Sequence, residues 1–284
     1  MKSESEILDV TGNVDVNTLD TPNESSFNPI GYLKHLTHKY TAIVVFIVLW
    51  QVLPTIGVIN PVFVPTPTTI AATIWSLLVS GELITDILAS LWRVLAAFIL
   101  ALVVGLSVGL LLGGFFRNVE KAVNPLLQMI SQANPFTLLP VFIAFLGIGE
   151  VSKIAFIYFV TQWPIIFNTV TGITNVDPVL VKLARTAGLS KLQIFWKVLL
   201  PASLPTVFTG IRMAAVFSLF MLIGAEMLGS TAGLGYLVMQ AEGVMNYPVM
   251  YAAIVVTALF GIIFMYVITL VEKHLTSWKQ DISY

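Results

Sequence analysis

The sequence contains no cysteine among its 284 residues, which excludes disulfides, thiolate metal sites and cysteine nucleophiles together. Histidine is nearly as scarce: His35, His38 and His274 all sit in polar flanks of apolar segments, where an imidazole stays solvated, so no metal site is expected. Charge is scarce as well. Only 10% of residues are charged, 57% are hydrophobic, and the mean hydropathy is +0.91; a soluble domain needs far more charge to cover its surface. The formal net charge of -1 exerts no pull toward nucleic acid, and none is expected as a partner. Also missing is any Gly-x-x-x-x-Gly-Lys-Ser/Thr run, so no loop cradles phosphates and the chain is not expected to hydrolyse ATP or hold a cofactor itself. A membrane enzyme would need a set such as His-Glu-x-x-His, or a serine paired with an intramembrane histidine, and neither is present.

What is present is apolar helix. A hydrocarbon core of about 30 Å takes roughly 20 helical residues, and windows of that width fall at 41–59, 94–116, 135–148, 154–173, 207–228 and 250–271. The chain therefore reads as an all-α membrane protein of six transmembrane helices. The third window is short unless extended backward through 126–133, where Gln128, Ser131, Gln132 and Asn134 call for an inward face. Residues 1–39 read as a polar tail without an apolar core of signal-peptide type, and residues 40–284 as the membrane domain.

Lysine and arginine set the orientation. Lys34, Lys39, Arg117, Lys121, Lys182, Arg185, Lys191, Lys197, Lys273 and Lys279 fall on one set of sides, against Lys153 on the other. Both termini are thus expected to be cytoplasmic. Arg93 and Arg212 lie near span ends, where a long stem reaches the interface, and count for neither side.

Three local patterns stand out. Val64-Pro-Thr-Pro-Thr-Thr69 reads as an extended turn capping a short amphipathic helix over 70–79, with Ile70, Ile74, Leu77 and Leu78 on one face. Ala97, Ala101, Gly105, Gly109 and Gly113 recur every fourth residue and predict a close-packing seam inside the bundle. The third is the loop over 175–205. There Asp177-Pro178 caps a helix carrying Leu180, Leu183, Ala184 and Ala187 at helical spacing, Gly188 stops it, and Ser190 caps a second helix through Lys197 that Leu200-Pro201 ends. Such a knob suits a grip by a soluble partner. It equally suits an interfacial helix held on anionic lipid by its four positive charges.

The run Lys182-Leu-Ala-Arg-Thr-Ala-Gly188, nine residues, then Val198-Leu-Leu-Pro201 resembles the EAA loop of ABC-importer permeases, whose pattern is Glu-Ala-Ala, three residues, Gly, nine residues, Ile, any residue, Leu-Pro. Lys182 and Leu183 depart from it; Ala184, Gly188 and the Leu200-Pro201 pair keep it. Phe63-Val-Pro-Thr-Pro67, Ala89-Ser-Leu-Trp-Arg-Val94 and Ala225-Glu-Met-Leu-Gly-Ser-Thr-Ala-Gly-Leu-Gly-Tyr236 are similar to the branch serving nitrate, sulfonate, taurine and bicarbonate. The resemblance implies a type I importer permease fold in a prokaryotic inner membrane. It also implies a coupling helix over 179–197 that docks on a cytoplasmic ATP-binding subunit through Lys182, Ala184, Arg185, Ala187, Gly188, Leu189, Leu200 and Pro201. The partners it implies are two ATP-binding subunits carrying ATP and Mg, a second permease copy, and an external binding protein delivering a small anion.

For the translocation path the sequence offers Gln128, Gln132 and Asn134 before Pro135, and Gln162 and Asn168 around Pro164. Uncharged donors bind an anion without a fixed countercharge, and a helix broken at proline exposes backbone N–H groups to it; interhelical hydrogen bonding is the other use of such groups. Glu226, with Gly233 and Gly235 beside it, is expected near the outer headgroups as a structural partner or part of an external gate. A secondary transporter is the alternative, weakened by the lack of ionisable residues in the middle of the spans.

Overall fold

A computed structural model of the protein describes residues 29–275, with side chains from Thr41 onward. Every regular element among the described residues is helical. Residues up to Val52 and residues from Leu53 on form two separate units. The first contains most of α1 (Pro29–Thr55). Its described run from Ile43 to Leu49 is exposed and apolar all round, as a helix solvated by lipid must be. The first 28 residues of the expected tail, and Lys279, lie outside the described residues, as do the side chains of Lys34 and Lys39.

In the second unit, α2 (Pro67–Val79) starts where the Pro-Thr-Pro turn predicts: the Thr66 hydroxyl accepts from the Thr69 N–H at 3.3 Å, and Ile70 and Leu77 face inward. α3 (Glu82–Leu110) runs on through a π-helical turn at Leu111–Phe115. It begins at residue 82 rather than 94, because Asp86, Ser90 and Arg93 lower the hydropathy of its first turns without breaking the helix. α4 (Arg117–Ser131) and α5 (Pro135–Leu146) meet at a 90° bend. Pro135 has no N–H, so Asn134 is pushed to extended backbone and its side chain accepts the Phe136 N–H. The third expected span is thus the second half of a bent helix pair.

α6 (Glu150–Thr174) lies between α3 and α9 (Leu200–Gly229) and is the axis of the core. α7 (Pro178–Thr186) and α8 (Lys191–Ile194) fill the loop before α9, while α10 (Leu234–Gly243) and α11 (Tyr247–Leu275) close the unit. Among the described residues four helices are long and apolar enough to cross a membrane, or five if the bent α4–α5 pair is one span. Six were expected. The difference lies in α1, whose described apolar part, Thr41–Thr55, is shorter than a crossing.

The Ala/Gly seam packs α3 on α6 inside this chain. A Cβ on Gly105 would stand 3.0 Å from Ile165, and one on Gly109 would stand 2.6 Å from the Cβ of Thr169. Without side chains at these positions the two backbones approach and gain dispersion contacts that lipid tails do not replace. Gly109→Val forces the helices apart. We expect a loss of about 1–3 kcal/mol, read as a lowered unfolding temperature in detergent, with Gly57→Val, which meets nothing within 4 Å but has φ of +77°, serving as a comparison for backbone strain alone.

Candidate functional site

The loop over 175–205 folds as a braced knob. The Asp177 carboxylate accepts the Val179 N–H at 2.8 Å, with Pro178 at the first helical position. At the other end Gly188 takes φ +77°, which lets its own N–H reach the Arg185 carbonyl and the Leu189 N–H reach the Ala184 carbonyl. This is the paired closure that a left-handed residue makes at a helix end. Ser190 then opens α8 through a reciprocal pair with Gln193.

Leu200-Pro201 does not end this second helix. Pro201 cannot donate to a carbonyl one turn back, and its ring would strike that carbonyl. The backbone widens into a π-helical turn at Phe195–Leu199, with the Leu200 N–H bonded to the Phe195 carbonyl, and continues unbroken from Lys191 to Gly229. The second helix of the knob is therefore continuous with a core span. Phe195 anchors it: its ring is buried, lies tilted against Phe115 with the centroids 4.7 Å apart, and covers Gly114, where a Cβ would stand 2.4 Å from it. Ala184 is buried, while Lys182, Arg185, Ala187 and Gly188 are exposed and Leu189, Leu200 and Pro201 half-buried.

The uncharged polar residues separate into two groups. Gln128, Gln132 and Asn134 are exposed and cluster at the α4–α5 break, Gln128 donating to Asn124 at 2.8 Å. Gln162 and Asn168 are half-buried on α6. Asn168 donates to the Pro164 carbonyl at 2.8 Å and fills the space over Gly210, whose Cβ would stand 2.5 Å from it, so this amide works in α6–α9 packing.

At the other end of the bundle lies a buried ion-pair clasp that sequence reading found only in part. Glu226 is fully buried. Its carboxylate accepts from Arg93 Nη1 at 2.8 Å, from the Ser90 hydroxyl at 2.8 and 2.9 Å, and from the Gly235 N–H at 2.9 Å. Arg93 also donates to the Ala232 carbonyl at 2.6 Å and, through Nε and Nη2, to both oxygens of Glu150 at 2.6 and 2.8 Å. Asp86 accepts the Gly233 N–H and Ser90 the Leu234 N–H. Lys153 lies 3.4 Å from Glu150.

The turn over 230–233 is thereby tied to α3, α6 and α9. Gly233, at φ +124°, has no room for a side chain: a Cβ would stand 2.5 Å from the Glu226 carboxyl carbon. Arg93 is no interfacial side chain; it is 3% exposed, because two carboxylates and a carbonyl replace its water. With the Arg93, Ser90 and backbone donors turned to protein and three carboxylates against two cations, the clasp repels an anion rather than binding it.

Asp86, Ser90 and Glu150 were not foreseen. One signal was available: Asp86, Ser90 and Arg93 continue the seam of Ala97, Ala101, Gly105 and Gly109 at helical spacing, which places them on the face α3 buries. The Ala89–Val94 and Ala225–Tyr236 segments, which carry the branch resemblance, meet in this clasp.

Comparison with known proteins agrees with this architecture. Residues 105–277 match the family model described as the binding-protein-dependent transport system inner membrane component. The SsuC protein of Bacillus subtilis (strain 168), an aliphatic sulfonates transport permease by name, is 35% identical over 84% of this chain and 86% of its own length. The taurine transport system permease protein TauC of Escherichia coli (strain K12) is 27% identical over 88% and 92%, and the nitrate import permease protein NrtB of Leptolyngbya laminosa 30% identical over 86% and 92%. In fold, the chain resembles an inward-facing structure of the MetNI methionine ABC transporter at a TM-score of 0.60 and 19% identity, covering 70% of this chain and 98% of that one. A secondary transporter is thereby set aside: the chain belongs to the family of inner membrane components of binding-protein-dependent transport systems, as the permease subunit of an ABC importer.

Proposed function

We propose that this permease carries a small anion of the sulfonate, taurine, nitrate or bicarbonate class, delivered by an external binding protein. It works as a pair of identical copies driven by two cytoplasmic ATP-binding subunits, with both of its termini on the cytoplasmic side. The observation that carries the reading is the tip of α7. Val179 and Leu183 are 65% and 68% exposed on a helix that its caps and Phe195 hold rigid, and apolar side chains displayed in that way on the lysine-rich side suit a protein groove. ATP and Mg stay on the partner, which supplies the hydrolysis. Closure of the partner pair moves α7 as a rigid body, and the unbroken Lys191–Gly229 rod, of which α9 is the membrane part, passes that motion to α6.

The path in this reading runs by Gln128, Gln132 and Asn134 at the α4–α5 break, where uncharged amides and the first N–H groups of α5 receive an anion. The exposed apolar faces of α5 and α9, with Phe136, Phe145, Phe217 and Phe220, are the surfaces a second copy would cover. Glu226, Gly233 and Gly235 act as the hinge plate of the external gate. The relatives named for sulfonates, taurine and nitrate support the anion class. The test is purification of the tagged chain from its host followed by assay of ATP hydrolysis in lipid: an ATP-binding subunit co-purifies and hydrolysis rises when binding protein loaded with the right anion is added. Isolation of the permease without any ATPase would contradict the proposal.

A further inference from the structure

The two faces of α7 differ in chemistry. At 100° per residue, Val179, Leu183 and Ala187 fall on one side, the exposed apolar face described above, and Lys182 and Arg185 fall on the other with Val181. That second face is solvent-accessible at Lys182 and Arg185 and borders a half-open recess. It lines a cavity of about 410 Å³ between α7, the end of α6 and the π-helical turn after α3, and Arg117, the first residue of α4, completes the lining.

Three cations thus line one cavity that has no acidic side chain in its wall. None of the three forms an ion pair among the described residues; of the carboxylates nearest in sequence, Glu120 accepts from Asn124 and Asp177 from the Val179 N–H. Like charges gathered beside apolar walls repel more strongly than in water, and an arrangement of this kind is relieved by a multivalent anion. Two guanidinium forks present the paired donors that match phosphate oxygens, and a lysine adds a point charge. The volume is ample for a phosphate and its ester substituents.

We propose that Arg117, Lys182 and Arg185 form a phosphate-binding cradle at the root of the coupling knob. Its ligand is a phosphate group, borne by an anionic lipid at headgroup depth or free in the cytoplasm. The bound group bridges α4 to α7. It thereby links the broken α4–α5 span to the knob and fixes the angle at which the apolar tip is presented. The site stands on cavity and charge alone; its effect on transport rests on the coupling function proposed above.

The test uses the full chain, without ATPase, in nanodiscs of phosphatidylcholine with or without phosphatidylglycerol. One arm reads retained phosphatidylglycerol by native mass spectrometry; the other titrates inorganic phosphate into phosphatidylcholine discs and follows the unfolding temperature. Two triple variants carry the same charge change: Arg117→Gln/Lys182→Gln/Arg185→Gln in the cradle, and Lys121→Gln/Lys191→Gln/Lys197→Gln outside it. Arg117→Gln alone, which leaves α7 untouched, guards against misfolding of the first triple. Wild type should bind saturably in one arm, and which arm identifies the source. The cradle triple should lose at least tenfold in affinity and Arg117→Gln several-fold, with the outer triple within twofold of wild type. Absence of binding in both arms overturns the proposal, as does equal weakening by the two triples, which would mean general attraction to a basic surface. Because no ATPase is present in the binding assay, failure of the coupling function leaves this result intact.

Discussion

Arg93→Ala is expected to prevent the protein from accumulating in folded form. Removing the guanidinium leaves Glu226, which no solvent reaches, as a buried charge with only the Ser90 hydroxyl and the Gly235 N–H as partners. Breaking a buried pair from one side costs about 3–5 kcal/mol, a large share of the stability of a typical domain. The partners grade the effect. Glu150 is half exposed in the same network, so Glu150→Gln leaves a side chain that water can satisfy and should cost far less than Glu226→Gln. Removing both ends at once, as in Arg93→Met/Glu226→Gln, should recover part of the loss of Arg93→Ala, since the Glu226 charge is then removed together with its guanidinium partner. Unfolding temperatures in detergent, together with proteolysis at the 230–233 turn, separate these cases. Equal stability for all of them would show that the clasp contributes nothing.

Gly188→Pro should abolish transport while leaving insertion in the membrane intact. Position 188 needs φ near +77°; proline is fixed near -65° and has no N–H to give the Arg185 carbonyl. The closure of α7 is lost, and with it the fixed direction of Val179 and Leu183. The core is untouched, because Gly188 is exposed and a Cβ there would meet nothing within 4 Å. Gly188→Ala isolates the conformational part: it keeps the N–H but strains the backbone by about 1 kcal/mol, and should retain partial coupling. Uptake and anion-stimulated ATP hydrolysis in proteoliposomes measure both. Unimpaired transport in Gly188→Pro would remove α7 from the mechanism.

Local chemistry made much of this legible in advance. Thr66, Asn134, Asp177 and Ser190 cap helices through neighbours two or three residues away, and Gly188 acts on its own backbone, so each announces itself in a short stretch of sequence. The seam on α3 was legible because small residues at helical spacing have one packing consequence. The clasp was not: Arg93 lies 57 residues from Glu150 and 133 from Glu226, and an arginine close to a span end reads as interfacial until its partners are known. The continuous rod through Leu200-Pro201 was hidden for another reason. A proline at the start of a span has the same sequence whether the preceding helix stops or widens by one residue, and the packing of Phe195 against Gly114 that accompanies the wide form is a tertiary contact.

The charge on α7 shows the same limit. The motif implies Lys182 and Arg185 for the ATPase contact; both also line the cavity with Arg117, of which Val179 and Leu183 are not part. Motif membership names the segment; only the geometry distributes its faces.

The absence of cysteine makes the central claim directly measurable. A single Leu183→Cys variant, co-expressed with the host's ATP-binding subunits and treated with a short thiol-to-amine cross-linker, should give a product of permease plus ATPase, whereas Thr231→Cys at the opposite end gives none. A cross-link from residue 231 but not from 183, or from neither in a complex that hydrolyses ATP, would contradict the assignment of α7 as the element that the ATPase grips.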